Sequence, residues 1–370
     1  MGDELSAKLA VYRDELLNLF NRSSLSLKRR LIFDIELFNN LIDFLDEDSF
    51  IYVDFYAQEK FIPTVLSDIK YLEQIADKVI AIFKEVDFYY YERDSYRKIP
   101  LKDRDEIIRD FLSRVFPKGD EIYRNLISRR QIICRNTDDY IGGAAFPILG
   151  IDTNFLLLNS LKTDNLATIE FLIHELMHIY DCTFLRNYSY VAYHNLIDGY
   201  YLETTELLIE ELLYDFFMAN HIFLDDILLR YNKEDYETLK WFKTIKYFSE
   251  MIKRGELRLR FDGNIFSFLG HNNDLQTDYD NILFRYSIDS CVGDMRDFRC
   301  GISKLKSMQL LRGNGLVDYT QIINNFLISL QDSSSSLNLT SANYDEFKAR
   351  LEQRMCLLKS RYPTPGYTCK

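Results

Sequence analysis

The sequence predicts a mainly α-helical protein with two helical lobes around a cleft and a small β-sheet edge beside a central helix. Three observations predict it. The 370 residues are 47% hydrophobic and 15% aromatic, with only 14 glycines and 6 prolines, a composition that suits long helices around a sizeable core rather than disorder. Apolar residues recur at helical spacing through most of the chain. One stretch, 140–159, departs from that period and reads as extended.

The elements follow in order. Residues 4–20, 27–47, 58–85 and 104–116 carry Leu, Ile, Phe and Tyr on one side, with Pro63 and Pro100 marking helix starts or breaks. The runs Tyr140 to Phe146 and Phe155 to Asn159 read as two short strands flanking a turn at Gly150 and Asp152. A helix is predicted over about 164–183, with N-cap candidates Thr163, Asp164 and Asn165 and an apolar stripe of Leu166, Ile169, Ile173, Leu176 and Tyr180. Further helices are predicted at about 195–222, 235–254 and 344–360, with a tyrosine-rich segment at 276–293 and a serine-rich linker at 332–336. The expected partition is a helical lobe at 1–130, a central domain at 131–330, and a linker plus closing helix at 331–370 packed on that domain. No internal repeat is visible.

Charge and cysteine use exclude several classes. The net charge is −12, and an acidic chain without a basic stripe argues against nucleic-acid binding. No apolar run is long enough to cross a bilayer and no signal peptide is visible, so no membrane partner is expected. Six cysteines are scattered without Cys-x-x-Cys pairs, which points to a reducing, cytoplasmic setting rather than a disulfide framework.

The most specific run is His174-Glu175-Leu176-Met177-His178. Residues four apart lie one above the other on a helix, so both imidazoles can reach one ion, and Glu175 lies beside the first ligand as a general base toward a water. A buried helix whose histidines only satisfy hydrogen bonds explains one such histidine more easily than two with a glutamate between them. The implied cofactor is one zinc ion, and it needs a further protein ligand. The predicted helix downstream offers Glu203, Glu206, Glu210, Glu211 and Asp215, of which the first three fall at i, i+3 and i+7. Either these form a solvated acidic face, or a cation relieves their mutual repulsion.

Segment 140–215 resembles the catalytic core of the thimet-oligopeptidase and oligoendopeptidase-F family of zinc peptidases. The resemblance lies in the His-Glu-x-x-His helix, in Glu203-Thr204-Thr205-Glu206-Leu207-Leu208-Ile209-Glu210 placed 29 positions after His174, and in Gly143-Ala144-Ala145-Phe146 and Leu156-Leu157-Leu158-Asn159 ahead of the helix. It implies a zincin-like metallopeptidase fold with 131–330 as the zinc catalytic domain and a shortened N-terminal part. It implies Glu203 as the third zinc ligand and Glu210 as a group orienting a ligand histidine. Glu211, spaced with Asp215, is the other ligand candidate. The implied oxyanion donors are Tyr286 and Tyr279, with His271 nearby. Gly143, Ala144, Ala145 and Phe146 are the implied substrate-binding strand. The implied reaction is hydrolysis of peptide bonds in short peptides.

The chain departs from the family pattern at several positions. Met177 stands where the family has Gly, Asp181 where it often has His, Glu206 where it has Ser, and Leu283 where it has a middle tyrosine. Asp181 is placed to brace His178 at i+3, and Glu206 adds a charge near the ion. These departures leave two alternatives: a peptide-binding module on a weak or inactive peptidase fold, or a zinc hydrolase of a non-peptide amide.

Overall fold

The computed structural model describes residues 2–46, 55–91, 99, 101–136, 142–160, 166–197, 201–254, 257–262, 265–270, 300–311, 316–331 and 339–362. The protein is mainly helical with a small three-stranded sheet, as the sequence predicts. No helix among the described residues is long and apolar enough to cross a membrane.

The chain divides into two compact units that are discontinuous in sequence. One comprises residues 1–54, 97–193 and 317–328; the other comprises 55–96, 194–316 and 329–370. This differs from a partition at 130 and 330. The helix expected within the N-terminal lobe at 58–85 belongs to the second unit, because its apolar face is covered by a helix from far down the chain.

In the first unit, α1 (Gly2–Arg22) packs on α2 (Leu25–Asp46). The sheet comprises β1 (Ile132–Asn136), β2 (Gly142–Ile148) and β3 (Thr153–Ser160) in the order β1-β3-β2. β2 and β3 form the expected antiparallel pair, with Gly143 opposite Leu158 and Phe146 opposite Phe155. A single helical turn at Leu149–Ile151 and a positive φ of 48° at Asp152 join them; Asp is among the residues that tolerate this conformation. β1, absent from the sequence reading, pairs parallel to β3.

Alternation assigns the faces of this sheet. Ile133, Ala144, Phe146, Ile148, Phe155 and Leu157 share one core with Leu9, Leu16, Leu31, Phe38 and Leu41 of the helical pair. Burying each large apolar side chain contributes about 1.5–3 kcal/mol, and a one-residue slip would turn the whole set outward. α6 (Leu166–Tyr188) packs on β2 and β3. α4 (Leu101–Val115) and α5 (Pro117–Ser128) both touch α6, and Pro117 opens α5 where its missing N–H costs nothing.

In the second unit, α3 (Phe55–Glu85) runs against α9 (Leu224–Arg254), and α12 (Ser341–Arg361) packs on both. α8 (Thr204–Ala219) packs on α9. β4 (Leu257–Asp262) and β5 (Ile265–Gly270) form a hairpin beside α9. A further helix, α10, covers 300–310. α11 (Thr320–Ser329) returns to the first unit, where the residue before it, Tyr319, donates its N–H to the carbonyl of Val115 at 2.8 Å.

The single helix expected at 195–222 is two elements, α7 (Tyr190–Ile197) and α8. Asp198-Gly199 lies between them, and both residue types are poor helix formers. The helix expected from 235 begins earlier, at Leu224, with Asp225 and Asp226 in its first turn, where the helix dipole favours acids. The tyrosine-rich segment at 276–293 and the linker at 332–336 lie outside the described residues.

Candidate metal centre

α6 presents the motif within an apolar scaffold. Ile169, Leu172, Ile173, Leu176, Met177 and Ile179 are buried, so the helix is embedded along most of its length. His174 and His178 are half-buried, with ring centroids 5.0 Å apart and planes at 78°. Glu175 is buried. Met177 points into the core with no exposed surface, so its bulk falls on packing around α6. Asp181 is fully buried one turn after His178.

Gly143 brings β2 against the motif. A Cβ at this position would lie 2.4 Å from Glu175 Cγ and 3.0 Å from Cδ and Oε1. Only glycine lets the strand pass this close, and the glutamate side chain rests in the space the missing Cβ leaves. Alternation therefore separates the four residues of the predicted substrate strand. Gly143 meets α6, whereas Ala144 and Phe146 turn into the core with α1 and α2. Among the described residues β2 is an edge strand of its sheet.

Two contacts outside the motif fix α6. Near its C-terminal end, Arg186 donates through Nη1 to Asp34 Oδ1 and through Nη2 to Oδ2 at 3.2 Å, and the Gly150 N–H donates to the same Oδ2 at 3.0 Å. Burial works against the Arg186 charge, but Asp34 outweighs it and holds the guanidinium pKa above its ordinary value. The Tyr180 hydroxyl donates to Asn324 Oδ1 of α11. Burial, with Asp181 nearby, pushes this phenol up to about 12.

On α8 the carboxylates have different surroundings. Glu203 is the N-cap residue and is half-buried; its carbonyl accepts the first helical bond from Leu207 at 3.0 Å, but its side chain makes no capping bond. Its N–H donates to Ser303 Oγ at 3.3 Å. Glu206 is fully buried and accepts from Thr205 Oγ1 at 3.1 Å. Glu210 is buried, and its carbonyl accepts from the Tyr231 hydroxyl.

Glu211 accepts from Lys304 Nζ at 2.5 Å and from Arg354 Nη1 at 3.0 Å, with no exposed surface. Burial favours its neutral form, yet Arg354, Lys304 and Arg350 together hold it well below the usual carboxylate range. Asp215 is engaged by Arg350 at 3.0 and 2.9 Å. The alternative ligand pair is thus occupied by cations.

The ligand atoms of His174, His178 and Glu203 all lie within 4.8 Å of one another. Two imidazoles and one carboxylate are a donor set that fits zinc. Tyr279, Tyr286 and His271 lie outside the described residues. Sequence reasoning missed the steric role of Gly143 and the cations at Glu211. A signal for the latter exists: Arg354 stands in the apolar stripe Phe347, Leu351, Met355 and Leu358, just as Asp34 stands between Leu31 and Phe38. A lone charge in such a stripe implies a buried partner.

No family model, curated protein or solved structure matches the chain.

Proposed function

We propose that this protein is a zinc-dependent peptidase of zincin-like architecture that hydrolyses peptide bonds in short peptides. The observation that carries the reading is the seat of Glu175: a buried carboxylate on the motif helix, pressed against Gly143, with a histidine beside it and another one turn on. His174, His178 and Glu203 would hold the ion. When bound, zinc supplies Lewis acidity toward a carbonyl oxygen and a water near neutral pH.

The chain's own residues account for the proton. Glu175 takes it from the attacking water at a carboxylate oxygen and passes it to the departing amine, leaving a carboxylate and an amine as products. Close approach at Gly143 keeps the Glu175 side chain from swinging into the space under β2, which favours one orientation for both transfers. Among the described residues β2 is an edge strand, which suits main-chain pairing with an extended peptide, a mode that gives affinity with little side-chain selection. Tyr286, Tyr279 and His271 enter as oxyanion donors on the strength of the sequence alone.

The test is a mass-spectrometric digest of a mixed short-peptide library by wild type and Glu175→Gln, each with zinc and with chelator. The expected result is zinc-dependent cleavage by wild type and a fall of about 10²–10⁴-fold in the variant. Equal cleavage by both proteins would refute Glu175 as the base. Bound zinc without peptide cleavage would move the assignment to a non-peptide amide or a binding role.

A further inference from the structure

We infer that α10 and α12 position the Glu203 carboxylate, through Ser303, Lys304 and Arg354 as positioning residues that fix the start and the axial register of α8. The inference rests on the reading of Glu203 as a metal ligand and goes beyond it, because it assigns a role in metal binding to the C-terminal helix.

Three observations within one unit carry it. First, α10 grips α8 at two levels. Ser303 Oγ accepts the N–H of Glu203, and the next residue, Lys304, donates to Glu211, eight positions further along α8. Second, Arg354 of α12 ties the same Glu211 to α9. Its Nη1 donates to Glu211, while its Nε and Nη2 donate to Asp235 at 2.9 and 2.6 Å. Third, the groups are sealed from water: Ser303, Glu211 and Arg354 have no exposed surface, and Lys304 and Asp235 nearly none.

Such a network is a poor device for stability alone, because apolar residues of similar volume often do as well; its distinctive effect is to specify one arrangement. Apolar ridges tolerate sliding, but a slip of one helical turn, about 5.4 Å, would separate every charge from its partner. The same slip would carry Glu203 away from its ion.

The test measures zinc affinity by competition with a chromophoric chelator, together with the visible spectrum of the cobalt-loaded protein, below the melting transition of every variant. Ser303→Ala, a small change that preserves packing, and Arg354→Met are compared with Phe347→Ala. Phe347 is buried on α12 against Phe83 of α3, so its loss weakens the fold while leaving every hydrogen bond of the network in place. Ser303→Ala and Arg354→Met are expected to weaken zinc binding roughly tenfold and to alter the cobalt spectrum, as removal of outer-shell partners does. Phe347→Ala is expected to lower Tm and leave both readouts unchanged. Wild-type affinity and spectrum in Ser303→Ala and Arg354→Met, or equal weakening in Phe347→Ala, would overturn the inference. Glu203→Gln separates the two levels. If it binds zinc like wild type, the ligand reading fails and takes the inference with it; if it binds weakly while Ser303→Ala binds normally, only the positioning role fails.

Discussion

α6 and α8 are both strongly apolar helices that carry carboxylates, yet they hold them by different means. On α6, Glu175 is placed by steric contact with the backbone of Gly143, and the helix is tied down remotely by Arg186 on Asp34. On α8, Glu211 is placed by charge, between Lys304 and Arg354. On the proposed function, the difference separates the group assigned to proton transfer from a structural one. A carboxylate saturated by cations has its proton affinity suppressed and is useless as a base. One confined by packing gains an orientation.

Four variants sharpen this contrast, in descending order of effect. Arg354→Met removes the guanidinium that pairs with buried Asp235 and leaves Glu211 to Lys304, and breaking such a buried pair is expected to cost about 3–5 kcal/mol in chemical denaturation. A loss below about 1 kcal/mol would show the network to be slack. Gly143→Ala introduces an overlap with Glu175, with an expected cost of about 1–3 kcal/mol and a loss of the proposed peptidase activity out of proportion to that cost. Retained activity would mean that Glu175 is not confined as described.

The third concerns acid. The pKa of Glu211 is depressed in the folded protein, so its contribution is fully present above its ordinary value of 4.5 and is lost as pH falls below that. Wild type is expected to lose stability over this range more steeply than Lys304→Met, as thermal melts at a series of pH values would show; parallel curves would contradict it. The smallest effect is expected at Asp110, which pairs with Arg114 on an open face of α4. Asp110→Asn is expected to shift stability by no more than about 0.5 kcal/mol, and a larger change would undermine the distinction between open and sealed pairs.

Legibility in the sequence followed distance along the chain. The motif helix and the β2–β3 pair were readable because their signals are local: a helical stripe with histidines four apart, and two extended runs about a turn. β1 was not, because its parallel partner lies more than a dozen residues away and a five-residue run carries little period. Nor was the pairing of α3 with α9, which moves 55–85 out of the expected N-terminal lobe. The fate of Glu211 was hidden for the same reason: its partners Lys304 and Arg354 stand 93 and 143 residues away. The resemblance favoured Glu203 over Glu211 as the ligand candidate, and the cations placed on Glu211 by the tertiary structure add a physical reason that no local spacing carries.

The most direct test of the central claim is the zinc content of the purified protein after exhaustive dialysis, measured by mass spectrometry for wild type, His174→Ala and His178→Ala. About one zinc per chain in wild type and little in either variant is the expected result. Zinc absent from wild type, or retained equally by both variants, would contradict a metal centre on α6.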